Sequence, residues 1–168
     1  RAFCFKQGEI PIYGHKRVID NLFNRFEYIF NKEKKYAGAP KLKPIEITEN
    51  KNFKISNLII TPISYLHAKL QVYGYRFNDF AYLTDMKTIE DVEINKLDNL
   101  KVLVLNCIKI EPHYSHLNLE EALKLIRLIK PKKTYLTHIS HMLGFHEEVQ
   151  NNLPEDVFLA FDGLEIEL

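Results

Sequence analysis

The sequence predicts an α/β layered sandwich, and three observations carry that prediction. Apolar residues alternate with a period of two from Ile45 to Leu83. Beyond that point short apolar strands alternate with stretches of helical spacing. The run Lys101-Val102-Leu103-Val104-Leu105 reads as a strand buried on both faces. A block of strands followed by alternating strand and helix is the pattern of layered α/β folds.

Taken in order, Arg1 to Gln7 is aromatic-rich, and Ile10-Pro11-Ile12-Tyr13 reads as a short strand with proline near its start. Val18, Leu22, Phe26 and Ile29 fall at helical spacing, which predicts an amphipathic helix over Lys16 to Phe30. Asn31 to Pro44 carries lysines, glycine and prolines and reads as a loop. The alternating region offers strands at Ile45–Ile47, Phe53–Ile55, Leu58–Ile60, Leu70–Tyr73 and Phe80–Leu83, with Gly74 and Asn78-Asp79 as turn residues. Thr88 to Leu97 reads as a short helix.

Asn118-Leu119-Glu120-Glu121 has the form of a capping box. Ala122, Leu123, Ile126 and Ile129 then share one helix face, and Pro131 ends the helix. A strand at Thr134, a helix over Phe145 to Asn152 and a strand at Val157–Ala160 follow. Asp162-Gly163 then predicts a tight hairpin to Leu164-Glu165-Ile166.

Composition bounds the function. The 168 residues suit one domain, which buries about 70% of the unfolded chain's surface. A net charge of +1 gives no general pull toward nucleic acid or membrane, so neither is an expected partner. No apolar run is long enough to span a bilayer, and no signal peptide is visible. Cys4 and Cys107 lie far apart and form no metal-type spacing, so a reducing, cytoplasmic setting is expected.

Chemistry-bearing residues gather after strands. Leu58-Ile59-Ile60-Thr61 leads through Pro62 to His67, Phe80–Leu83 stops at Thr84-Asp85, and Tyr135-Leu136-Thr137 stops at His138. Polar groups at the carboxyl ends of strands are how α/β sheets present chemistry. Each also has a plainer reading. Asp85 alone suits a helix cap, Thr137 to His141 suits a polar turn, and His113 suits a neighbour of Glu111. His15 and His146 read as surface residues. Together, His67, Asp85 and His138 are imidazole and carboxylate donors suited to Zn, Mn or Fe. A carboxylate can bridge two divalent ions, and such a pair can activate water and clamp a phosphoryl oxygen.

The same residues carry a family resemblance. Tyr73-Gly74-Tyr75-Arg76-Phe77 and Phe80-Ala81-Tyr82-Leu83-Thr84-Asp85 resemble the stretch before the bridging aspartate of metallo-β-lactamase-fold hydrolases. Three further runs are Pro112-His113-Tyr114-Ser115-His116-Leu117-Asn118-Leu119-Glu120-Glu121-Ala122, Tyr135-Leu136-Thr137-His138-Ile139-Ser140-His141 and Phe161-Asp162-Gly163-Leu164. They resemble one branch, the phosphodiesterases acting on phosphoribosyl 1,2-cyclic phosphate. The resemblance implies a four-layer αββα sandwich. It implies that His67 ligates one metal, His138 the other, and Asp85 bridges them. It also implies that His116 faces the substrate phosphate as acid or base, and it assigns no role to His113 or His141.

The expected reaction is hydrolysis of a small cyclic phosphate ester, with two divalent ions (Zn or Mn) and attack by a metal-bound hydroxide. The rival readings are a tRNA 3′-processing type of nuclease on the same fold and a metal-free binding or assembly module. The family's His-x-His-x-Asp-His signature does not occur in this sequence. Residues 1–168 are therefore expected to be the C-terminal portion of a single metallo-β-lactamase-like domain, inactive alone. Three ligands would have to serve two ions, and a bare sheet face would be covered by the rest of a longer chain or by a homodimer.

Overall fold

Turn chemistry decides the first half of the main sheet. A computed structural model describes residues 2–167 except 32, 34, 35 and 37. The described chain falls into two compact units, residues 1–51 and 52–168.

In the first unit a short helix, α1 (Ala2–Gln7), occupies the stretch read only as aromatic-rich. It is followed by β1 (Ile10–His15), α2 (Lys16–Arg25) and α3 (Glu27–Phe30). The single helix expected over Lys16 to Phe30 is thus two. Phe26 leaves helical geometry at φ −122°, ψ 45°, and no glycine or proline marks the break. β2 (Leu42–Ile47) starts inside the expected loop and pairs in parallel with β1, Ile10 opposite Leu42.

The second unit holds a seven-stranded sheet in the order β3 to β9. β3 (Phe53–Ile55), β4 (Leu58–His67), β5 (Leu70–Phe77) and β6 (Phe80–Leu83) form an antiparallel meander. Two residues separate each strand from the next, and Ser56, Ala68 and Asn78 take left-handed backbone at those turns, with φ of 53°, 53° and 54°. Such primed turns match the twist of the flanking strands. Gly74 is not a turn residue. It lies within β5 opposite Ile63, where a Cβ would stand 2.5 Å from Leu83 Cδ2 and 2.7 Å from the Tyr82 carbonyl oxygen. Pro62 is tolerated inside β4 because β3 is short and pairs only with Leu58–Ile60.

From β6 onward every pairing is parallel: β7 (Val102–Asn106), β8 (Lys133–Thr137) and β9 (Val157–Leu159). Parallel neighbours need crossovers. These carry α4 (Asp91–Ile94) with a 3-10 turn at Asn95–Leu97, then α5 (Leu119–Ile129), then a 3-10 turn at His141–Leu143 with α6 (His146–Gln150). The helix expected from Thr88 begins only at Asp91, and Thr88 instead bridges to Leu66. The capping box is present: the Asn118 side chain accepts from the Glu121 N–H, and Glu121 accepts from the Asn118 N–H. Beyond β9 the chain turns at Asp162-Gly163, but the hairpin expected to Leu164–Ile166 does not form; no strand is found there among the described residues.

β7 is buried along its whole length. Leu83, Leu103, Leu105 and Leu136 lie on the face that packs against Ala122, Leu125 and Ile129 of α5. Each such leucine contributes roughly 1.5–3 kcal/mol by leaving water. The other face carries Tyr75, Tyr82, Val104, Tyr135 and Phe158 as successive register partners, and Tyr82 is 45% exposed.

Candidate metal centre

Two antiparallel steps restore direction, so β4 runs the same way as β6 to β9. The carboxyl ends of β4, β6, β7 and β8 therefore share one edge, and each leads into a candidate residue. His67 ends β4, Asp85 lies two residues past β6, His116 lies in the connection after β7, and His138 follows β8 directly.

The structure brings all four together. His67, Asp85 and His116 each offer a donor atom, and the three atoms lie within 4.8 Å of one another. Asp85 Oδ1 stands 3.1 Å from His116 Nε2 and 3.4 Å from His138 Nε2. The His116 ring is stacked 4.6 Å from the His138 ring and meets the His67 ring edge-on at 4.6 Å. His116, expected to face substrate, thus stands as near to Asp85 as any expected ligand does.

Backbone shape helps to aim the donors. Asp85 and His138 take left-handed backbone, with φ of 60° and 59°. That region suits Asp and His better than most residues, yet it still costs about 1–3 kcal/mol. Asp85 is not the cap of the next helix, which starts after Glu90.

His116 is buried. Its Nδ1 lies 2.9 Å from Ser115 Oγ and 3.3 Å from His113 Nδ1. Burial holds its pKa below the ordinary histidine value, the hydrogen bond to Asp85 opposes that shift, and the His138 and His67 rings add to it. The neutral imidazole is the form that can ligate a metal. The Asp85 carboxylate with the His67 and His138 imidazoles is a donor set that fits a divalent ion of the Zn or Mn type, and His116 stands beside it.

His141 is exposed at the start of its 3-10 turn. His15 caps α2 by accepting from the Arg17 N–H, and His146 sits edge-on to Phe161. Cys4 and Cys107 are both buried free thiols. Sequence reasoning missed Ser115, Tyr65 and Asn106. Tyr65 OH donates to the Thr84 carbonyl oxygen at 2.6 Å, and Asn106 holds Met86, so both grip the turn around Asp85.

A model of the beta-lactamase superfamily domain matches residues 1–139. The chain belongs to this superfamily. Its fold is that of the metallo-β-lactamase hydrolases, a family that generally works with divalent metal. A solved diphosphatase of the PhnP family is 31% identical, with a TM-score of 0.82 over 93% of this chain and 57% of that one. The fold protein YhfI from Bacillus subtilis is 22% identical, with a TM-score of 0.70 over 95% of this chain and 66% of that one, and supports the fold alone. An octanoyltransferase of Porphyromonas gingivalis is 32% identical over 166 residues, which is 98% of this chain and 33% of that protein. The chain thus spans about a third of the curated relative and somewhat over half of the similar solved structures. Among the described residues no helix is long and apolar enough to cross a membrane.

Proposed function

We propose that this superfamily member is a metal-dependent phosphodiesterase for a small cyclic phosphate ester, and that both units belong to one catalytic domain. The observation that carries the proposal is the convergence of His67, Asp85, His116 and His138 at one sheet edge. Likeness to a diphosphatase of the PhnP family supports phosphorus as the reacting centre.

His67, His138 and Asp85 would hold the divalent ions, two in this proposal. Such ions, when bound, make water a nucleophile near neutral pH and offset charge on phosphoryl oxygens. His116 carries the proton. With the proton on Nε2, that nitrogen donates toward Asp85 Oδ1 while Nδ1 accepts from the Ser115 hydroxyl. Ser115 is 1% exposed, so the ring is held from behind. With a second proton on Nδ1, donated to Ser115 Oγ, His116 as imidazolium can give its Nε2 proton to the oxygen that leaves when the ester opens, and the ring returns to the neutral form.

The octanoyltransferase relative does not redirect this reading, because the match covers 33% of that protein. A polynucleotide substrate finds little support in a chain of net charge +1. The test uses the whole protein with Mn or Zn, offered ribose 1,2-cyclic phosphate 5-phosphate, bis(p-nitrophenyl) phosphate and a 3′-extended tRNA. Turnover of the cyclic ester with none of the tRNA is expected. Turnover of the tRNA alone would make the protein a nuclease, and metal binding without any turnover would remove the enzymatic reading.

A further inference from the structure

The stretches that carry His67, Asp85 and His116 meet at one short segment, Met86 to Thr88, directly after Asp85. Met86 lies beyond the end of β6, so the sheet ladder does not reach it. Asn106, the last residue of β7, supplies the missing partners. Its Oδ1 accepts from the Met86 N–H at 2.8 Å, and its Nδ2 donates to the Met86 carbonyl oxygen at 3.0 Å. A side-chain amide carries the donor and acceptor of a peptide group. It extends the ladder one step past a left-handed residue that a second strand could not follow. Both residues are 0% exposed.

The same segment also holds the stretches that carry His116 and His67. The Met86 carbonyl oxygen also accepts from the Leu117 N–H at 2.9 Å, and Leu117 follows His116. The Lys87 N–H donates to the Leu66 carbonyl oxygen at 2.7 Å, and the Leu66 N–H donates to the Thr88 carbonyl oxygen at 2.8 Å; Leu66 precedes His67. One backbone segment therefore sets Asp85, His67 and His116 relative to each other, and Asn106 is the side chain that grips it.

We infer that Asn106 is a positioning residue for the metal centre. It touches no candidate ligand side chain and acts through Met86. The inference rests on the reading of His67, Asp85 and His116 as one metal-facing group.

The test compares Asn106→Ser and Asn106→Ala with Leu103→Ala in the whole protein. Leu103 is equally buried on the same strand but lies on the core face, away from the turn. Each protein is titrated with Co(II) and its visible absorption recorded, with amide exchange followed in the metal-free state. The Asn106 variants should bind Co(II) at least tenfold more weakly and change its visible band, whereas Leu103→Ala should lose stability with affinity and band intact. Equal loss in Leu103→Ala, or an unchanged band in both Asn106 variants, would overturn the inference. The wild-type protein gives a check that needs no variant. Its Met86 amide should exchange as slowly as the β7 amides, and fast exchange there would overturn the clamp even if the variants fail to fold. Should wild-type protein bind no Co(II), the metal reading falls. The clamp then stands only if Asn106→Ser speeds exchange at both Met86 and Leu117, and falls if it does not.

Discussion

A carboxylate ringed by imidazoles divides the labour at the residue scale. Asp85 Oδ1 faces both His116 and His138, so loss of any one ring leaves a different deficit. His138→Ala should lose metal, as measured by elemental analysis. His116→Ala should keep metal near the wild-type content while kcat falls about 10²–10⁴-fold, the usual worth of a positioned acid or base. Metal-free His116→Ala protein would make His116 a ligand instead. Cys107 offers a separate check. Burial pushes its thiol up to about 12, and it is 0% exposed. Attack on a disulfide reagent needs thiolate and access. At pH 8 the native protein should leave Cys107 unlabelled by Ellman's reagent, with labelling appearing only in denaturant. Rapid native labelling of Cys107 would contradict its place in the core.

At the element scale the informative position is Gly74. Beside its clashes with Leu83 and the Tyr82 carbonyl oxygen, an added Cβ would stand 2.9 Å from Tyr65 Cε1. Two of these neighbours are side chains that could move, but one is backbone of the adjacent strand. Gly74→Ala should therefore cost about 1–3 kcal/mol, the range for overpacking a tight core. Urea unfolding measures it, and an unchanged midpoint would show that the strands part easily there. The same glycine shows where a sequence stops being legible. A glycine needed for close approach and a glycine needed for a turn look alike until the neighbouring strand is in view. Asn118 and Glu121 were readable because a capping box is complete within four residues. The candidate donors were readable because apolar strands ended in polar groups. Asn106, Ser115 and Tyr65 were not. Asn106 and Tyr65 act on the turn around Asp85 from 20 and 19 residues away in sequence. Ser115 matters only once His116 is placed beside it. The helix break at Phe26 has no local signal that we can name.

At the scale of the whole molecule, three proposed ligands, His67, Asp85 and His138, would serve a two-ion centre with His116 beside them. A catalytic zinc ordinarily keeps three protein ligands of its own. Residues 1–168 expressed alone should therefore show no metal-dependent hydrolysis of bis(p-nitrophenyl) phosphate. Tyr82, 45% exposed on the sheet face opposite α5, should favour self-association, visible in sedimentation. Strong turnover by the monomeric chain would show that these four groups suffice. The sheet that carries the donors also has a history written into its strand order. β3 to β6 are joined by two-residue turns, whereas β7 and β8 are reached only through longer crossovers. Contacts closed by short loops form sooner than those that must first close long ones. His67 and Asp85 belong to the early part, and His116 and His138 to the late part. On that ordering the ligand set, which needs His138 after β8, should be completed late in refolding, and an ion in solution should meet only a partial site until then. It should stabilise the finished site rather than guide the chain to it. Saturating Zn or Mn should accordingly slow unfolding in a stopped-flow experiment and leave the refolding rate almost unchanged.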